Sequence, residues 1–167
     1  MNNYLKMQFD LDHPEFLATL DELKLWAAPF GQMLLTHMPI SEGMEVLDIG
    51  CGLGFPTLEI ASRLGDSASV FGLDPWATGL AFAERKRRQY RIEQTCFIEG
   101  DAALAPFSDK SFDLVLSNLG INNFSDPYSV IRESYRLLKS GGYFCISTNV
   151  EGHMDRFYRV FEQVLAQ

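Results

Sequence analysis

The sequence is poor in whatever would staple a chain together or anchor it in a membrane. It holds three cysteines, Cys51, Cys96 and Cys145, none in a CxxC pair, and the odd count gives no disulfide framework. Cys96 and Cys145 sit in apolar, strand-like runs and read as small core residues. The three histidines, His13, His37 and His153, match no metal-ligand spacing, so no metal site is expected. No apolar run approaches the roughly 20 residues of a membrane-spanning helix. The opening MNNYLKMQFDLDH lacks the basic start and apolar core of a secretory signal, which predicts a cytoplasmic protein with no membrane partner. Positive charge is scarce as well: 14 Lys and Arg against 22 Asp and Glu leave a formal charge of −8. An acidic surface repels phosphate backbones, so nucleic acid is not the expected partner. One basic run, Arg85-Lys86-Arg87-Arg88 with Arg91 beyond it, spreads around a helix and reads as a solvated face.

What is present is an ordinary globular composition. The 167 residues are 47% hydrophobic and 22% charged, enough for one domain around one buried core. Asp12, Pro14 and Glu15 resemble a helix start, with a cap, a first-turn proline and an acid three residues after the cap. Leu20, Leu23, Ala27 and Phe30 follow at helical spacing, Pro29 and Gly31 interrupt, and a second short helix is predicted over 32–37. Trp26 and Phe30 read as core packing. A regular alternation then begins: strands over 44–49, 68–73, 95–98, 112–117 and 142–148, with helices over 56–64, 76–91, 127–138 and 154–165. Strands alternating with helices imply an α/β fold with an open, doubly wound, mainly parallel sheet covered on both faces. Ligands in such sheets bind beyond the carboxyl ends of the strands, so the informative residues lie just after each strand.

After the first strand comes Asp48-Ile49-Gly50-Cys51-Gly52-Leu53-Gly54. Glycines there permit a tight turn and close approach of a ligand to backbone. A dinucleotide loop needs GxGxxG, whereas the glycines here fall at 50, 52 and 54, with Phe55 next. Asp74 ends the second strand, where an acid can accept hydrogen bonds from both hydroxyls of a ribose; it can equally cap the helix that follows. Glu99-Gly100-Asp101-Ala102 ends the third, where Asp101 is either a turn residue or an acceptor for an exocyclic amine.

Together these segments resemble the class I S-adenosylmethionine-dependent methyltransferases, in particular their small-molecule, type 11-like branch. Val46 to Gly54 looks like the family's first motif, Phe71-Gly72-Leu73-Asp74 like its ribose-binding strand end, and Gly100-Asp101-Ala102 like its adenine-binding turn. Ala105-Pro106-Phe107-Ser108-Asp109-Lys110-Ser111-Phe112-Asp113 is similar to its LPF.D.SFD segment, and Leu137-Leu138-Lys139-Ser140-Gly141-Gly142 to the turn into its fifth strand. The resemblance implies a Rossmann-like methyltransferase fold that binds S-adenosyl-L-methionine and yields S-adenosyl-L-homocysteine. By position, Gly50, Cys51, Gly52 and Gly54 would lie along the methionine part and Asp48 would help hold its amino group. Asp74 with Pro75 would take the ribose, Asp101 and Ala102 the adenine, and Ser117 and Asn118 would stand beside the sulfonium and the acceptor. The resemblance also implies that residues 1–42 form a helical lid over a cofactor-binding core at 43–167. Past the fourth strand, Asn118-Leu119-Gly120-Ile121-Asn122-Asn123-Phe124 carries neither the branch's frequent histidine nor the [DNS]-P-P-[YF] motif of adenine and glutamine methyltransferases. That departure speaks against those two acceptors.

Methyl transfer from a sulfonium needs alignment and exclusion of water more than a catalytic triad. His153, just past the fifth strand, and Asn118 are the weak candidate catalytic residues, with His13 reaching the site only if the lid closes; a solvated, idle His153 is the favoured reading. The family's sheet usually adds a sixth and a seventh strand, which are not expected here. The fifth strand would then be an open edge: a C-terminally incomplete piece of a longer enzyme is the expected reading, and association of two chains through that edge is the alternative. The expected activity is methyl transfer to a small-molecule acceptor. The alternatives are a cofactor-binding module without catalysis and a nicotinamide-dependent oxidoreductase, which the glycine spacing disfavours.

Overall fold

A computed structural model describes residues 10–22 and 27–165. Six helices and five strands follow in the order α1 (Pro14–Glu22), α2 (Ala27–His37), β1 (Glu45–Ile49), α3 (Thr57–Leu64), β2 (Ser69–Asp74), α4 (Ala77–Tyr90), β3 (Thr95–Glu99), β4 (Phe112–Asn118), α5 (Pro127–Leu137), β5 (Leu138–Ser147) and α6 (Asp155–Leu165). All strand pairs are parallel, in the order β3-β2-β1-β4-β5. From β1 the chain builds outward to β3, then returns to lay β4 on the other side of β1. Strand order therefore reverses between β1 and β4, and a crevice opens beyond the carboxyl ends of those two strands.

The period-two alternation of the strands divides the core into two layers. Val46, Val70, Leu114 and Leu116 face Leu34 and Leu35 of α2, Met38 just after it, and Ile60 and Ala61 of α3. Leu47, Ile49, Leu73 and Val115 face Val130 and Leu137 of α5. A register irregularity between Phe112 and Leu114 turns Phe112 onto the Val115 face. There it meets Phe71 and Phe107 in edge-to-face contacts of 4.9–5.7 Å between ring centroids. Phe107 belongs to the connection between β3 and β4, and Arg136 of α5 ties down the same segment. Its guanidinium donates to the Phe107 and Ala105 carbonyls and pairs with Asp109 and Glu133.

Several expectations change. Pro29 and Gly31 do not interrupt a helix: α2 runs through both, because Pro29 lies in its first turn, where no N–H partner is needed. Leu23 and Trp26 lie outside the described residues. Asp12 is not the cap of α1; its carboxylate accepts from Trp76 Nε1 at 3.1 Å, and helix-type bonding starts at the His13 carbonyl. β5 starts at Leu138, earlier than its apolar pattern, because the Lys139-Ser140-Gly141-Gly142 stretch is already extended. Cys96 is exposed on the edge strand β3 and Cys145 is only half-buried on β5, since an apolar run on an outer strand lacks a neighbour on one side. The basic run of α4 is tied up locally: Lys86 pairs with Asp21, Arg87 and Arg88 with Glu84, and Arg85 lies over the Phe82 ring.

Candidate functional site

The β1 strand leaves its sheet through Gly50, Gly52 and Gly54, which have φ of +75°, +50° and +90°. These left-handed conformations favour glycine. A Cβ on Gly52 would meet nothing within 4 Å, so this part of the loop opens onto free space. On the other side of the switch point, Leu119 takes φ +62° and turns the chain so that Gly120 lies against Gly50. A Cβ on Gly120 would fall 2.9 Å from the Ile49 carbonyl oxygen and 2.7 Å from Ser117 Oγ. The two loops thus cross in close contact, and only glycine fits between them.

Asp74 closes the arrangement from β2. One carboxylate oxygen accepts from Gly52 N at 2.8 Å and the other from Trp76 N at 2.9 Å. The residue is at once a turn former before α4 and a clamp on the glycine loop. Each oxygen keeps a second lone pair for another donor. Asp48, one residue before the end of β1, has no exposed surface at all. Its Oδ2 accepts from Thr57 Oγ1 at 2.6 Å, while its Oδ1 has no partner. Burial, augmented by the nearby Asp74 charge and opposed by the Thr57 hydrogen bond, pushes its acid up to about 7. The Cys51 thiol packs against Gly72, and burial raises it well above its ordinary value.

Beside the loop a cleft of about 430 Å³ runs between the ends of β2 and β3 and the start of α5. Leu73, Pro75, Ala102, Phe124 and Val130 give it apolar walls, and Gly50 lines its inner end. Asp101 stands at its rim, with one oxygen accepting from Ala103 N at 2.8 Å and capping the short 3-10 turn Ala102–Leu104. The cleft, the loop and the three carboxyl groups therefore bring together Asp48, Gly50, Gly52, Gly54, Asp74, Pro75, Asp101 and Ala102.

The other expected site residues have partners within the fold or lie away from the cleft. Ser117 is buried and its hydroxyl donates to the Ile49 carbonyl at 2.8 Å. Asn118 donates to the Ala27 carbonyl at 3.2 Å and accepts from Ser147 Oγ at 2.8 Å, joining β4, β5 and the start of α2. His153 sits in the turn before α6 and does not line the cleft, and His13 is exposed ahead of α1. Thr57, Gly120, Phe124 and Val130 belong to the site without a sequence signal of their own. Among the described residues, no group of His, Cys, Asp and Glu could hold a metal ion.

A family model described as a methyltransferase domain matches residues 40–165, which span the sheet, the loop and the cleft. The chain belongs to the methyltransferase domain family. Its sequence is 30% identical over 135 residues to a demethylmenaquinone methyltransferase of Anoxybacillus flavithermus, covering 78% of this chain and 57% of that one. It is 34% identical over 132 residues to a demethylmenaquinone methyltransferase of Listeria welshimeri, covering 77% of this chain and 56% of that one. The chain thus spans little more than half the length of these curated relatives. The crystal structure of a SAM-dependent methyltransferase from Aquifex aeolicus superposes with a TM-score of 0.71 at 22% identity, covering 83% of this chain and 72% of that one. At that identity the likeness is one of fold, and it extends to a doubly wound Rossmann-like sheet.

Proposed function

We propose that this methyltransferase domain binds S-adenosyl-L-methionine at the β1–β4 switch point and takes part in methyl transfer to a small-molecule acceptor, leaving S-adenosyl-L-homocysteine. The observation that carries the reading is the clamped glycine loop above a buried Asp48 oxygen that lacks a partner. An orphaned buried carboxyl oxygen is costly unless a positive charge or a donor reaches it. When bound, the cofactor supplies a methyl group on a sulfonium, open to in-line displacement. The chain's own part is binding, orientation and exclusion of water. Asp74 has lone pairs left for two ribose hydroxyls, and the walls formed by Leu73, Pro75, Ala102 and Val130 suit a flat heterocycle. The free oxygen of Asp101 is available to an exocyclic amine. Asn118 acts by holding the start of α2 over the strand ends, in keeping with a lid role for residues 1–42.

The relatives' names favour a quinone-type acceptor, demethylmenaquinone or a relative of it. Among the described residues no helix is long and apolar enough to cross a membrane, and a cytoplasmic location is part of the proposal. Titration calorimetry with S-adenosylmethionine, S-adenosylhomocysteine and NAD tests the cofactor. Binding of the first two is expected, and binding of NAD alone would replace the reading with that of an oxidoreductase. A radiolabelled-methyl assay against demethylmenaquinone, phenols, amines and thiols tests the acceptor, and cofactor binding without any turnover would leave a binding module.

A further inference from the structure

Asp48 lies beneath the glycine loop, where the described groups that face it are neutral or negative. The groups around it are the Thr57 hydroxyl at the start of α3, the Asp74 carboxylate at the end of β2 and the Cys51 thiol, which burial keeps protonated. Among the described residues nothing positive offsets a charge on Asp48. Its Oδ1 meets no donor, and the side chain has no surface through which water could solvate it. An isolated buried carboxylate in that position is unfavourable, and neutralisation is the usual relief.

We propose that Asp48 trades a proton for the positive charge of the cofactor: the free protein holds it as the neutral acid, and binding expels that proton to solvent. The inference rests on the reading of the loop as an S-adenosylmethionine site. The exchange is a proton transfer only. The carboxylic O–H bond breaks, its electron pair stays on Asp48, the proton goes to buffer, and the ligand's cationic end takes over the neutralising role. Burial and the Asp74 charge hold the acid near 7 in the free protein, so it is largely protonated below neutrality. A nearby cation counters both influences. Below that point cofactor affinity therefore rises with pH, by up to about tenfold per unit, and it levels off above.

Calorimetry on the whole chain, in two buffers of different ionisation enthalpy at about pH 6, reads the proton directly. Release of close to one proton per S-adenosylmethionine bound is expected, with affinity climbing between about pH 5 and 7. Asp48→Asn should abolish both the release and the slope. Thr57→Val removes the bond that favours the ionised form, so the inflection should move to higher pH, a shift that a mere packing defect does not produce. Should Asp48→Asn fail to fold by circular dichroism, the wild-type proton count and the Thr57→Val shift decide. Binding with flat pH dependence and no released proton overturns the inference while leaving the cofactor site intact. Undiminished release from a folded Asp48→Asn also overturns it, since another group would then be the source. Absence of S-adenosylmethionine binding at every pH overturns the underlying reading instead.

Discussion

Asp74 accepts a hydrogen bond from each of two loops, and its replacement separates two roles. Asp74→Ala removes the clamp on Gly52 N, the bond to Trp76 N and the two proposed ribose contacts, each charge-assisted bond worth about 1.5–3 kcal/mol. Cofactor affinity should fall at least about tenfold by calorimetry, with the far-ultraviolet circular dichroism of the fold retained. An unchanged dissociation constant would reduce Asp74 to a turn former. Asp48 makes the opposite kind of statement, about stability. Its acid is held above the range of an unfolded carboxylate, so the folded state binds that proton more tightly and gains from it in acid. The gain is lost as pH rises through about 7. Asp48→Asn cannot lose it. In urea unfolding the variant should therefore gain on the parent between about pH 5 and 8, by no more than about 4 kcal/mol. Parallel curves for the two proteins would mean that Asp48 is ionised throughout.

Among the elements, α2 joins the N-terminal segment to the site. Its Gly31 touches Phe55, the residue after the glycine loop: a Cβ there would come within 2.3 Å of the Phe55 ring and 3.1 Å of Asn118 Nδ2. Gly31→Ala should push the helix off its seat and cost about 1–3 kcal/mol in urea unfolding. Met33→Ala, at a half-exposed position of the same helix, should stay within about 0.5 kcal/mol. Equal effects would show that α2 is not seated by that contact. The sequence hid this. Pro29 and Gly31 look like breakers in isolation, and the partner that makes Gly31 necessary lies across a turn of tertiary structure. The strand ends, by contrast, were legible, because apolar runs stop abruptly at Asp48-Ile49-Gly50, at Leu73-Asp74 and at Ile98-Glu99-Gly100. Thr57 and Gly120 were not, since their roles depend on Asp48 and Gly50, which the chain brings near them only by folding.

At the scale of the whole molecule, the sheet ends in two unlike edges. β3 is short, whereas β5 runs from Leu138 to Ser147 and pairs only with β4 among the described residues. Beside it, Phe144 and Ile146 border an apolar groove with Met33 and Met38, and Phe157, Val160 and Val164 of α6 are exposed. Long open edges invite pairing, and a net charge of −8 opposes it between like chains. Association of the chain through β5 should therefore rise with both protein and salt concentration in light scattering, and Tyr143→Lys should suppress it. A mass that stays monomeric across both series would remove the edge-pairing argument. The exposed edge followed from the family resemblance laid over the strand pattern. The misreading of Cys96 and Cys145 as core followed from the same pattern, which reports that a strand is apolar but not how many neighbours it has.

The strand order also dictates a timetable for assembly. β1 pairs with β2 once α3 and β2 are made, but its other neighbour is β4, and Val46 meets Leu114 only after β2, β3 and both intervening helices exist. Every pairing in the sheet joins distant residues through a crossover, so no hairpin can form early to guide the rest. Refolding should accordingly be slow for the chain's size, in the millisecond-to-second range typical of non-local topologies. During synthesis, the half of the molecule that carries the glycine loop and Asp74 emerges with one flank of β1 bare. The crevice comes into being on that flank only when β4 arrives and Gly120 settles against Gly50.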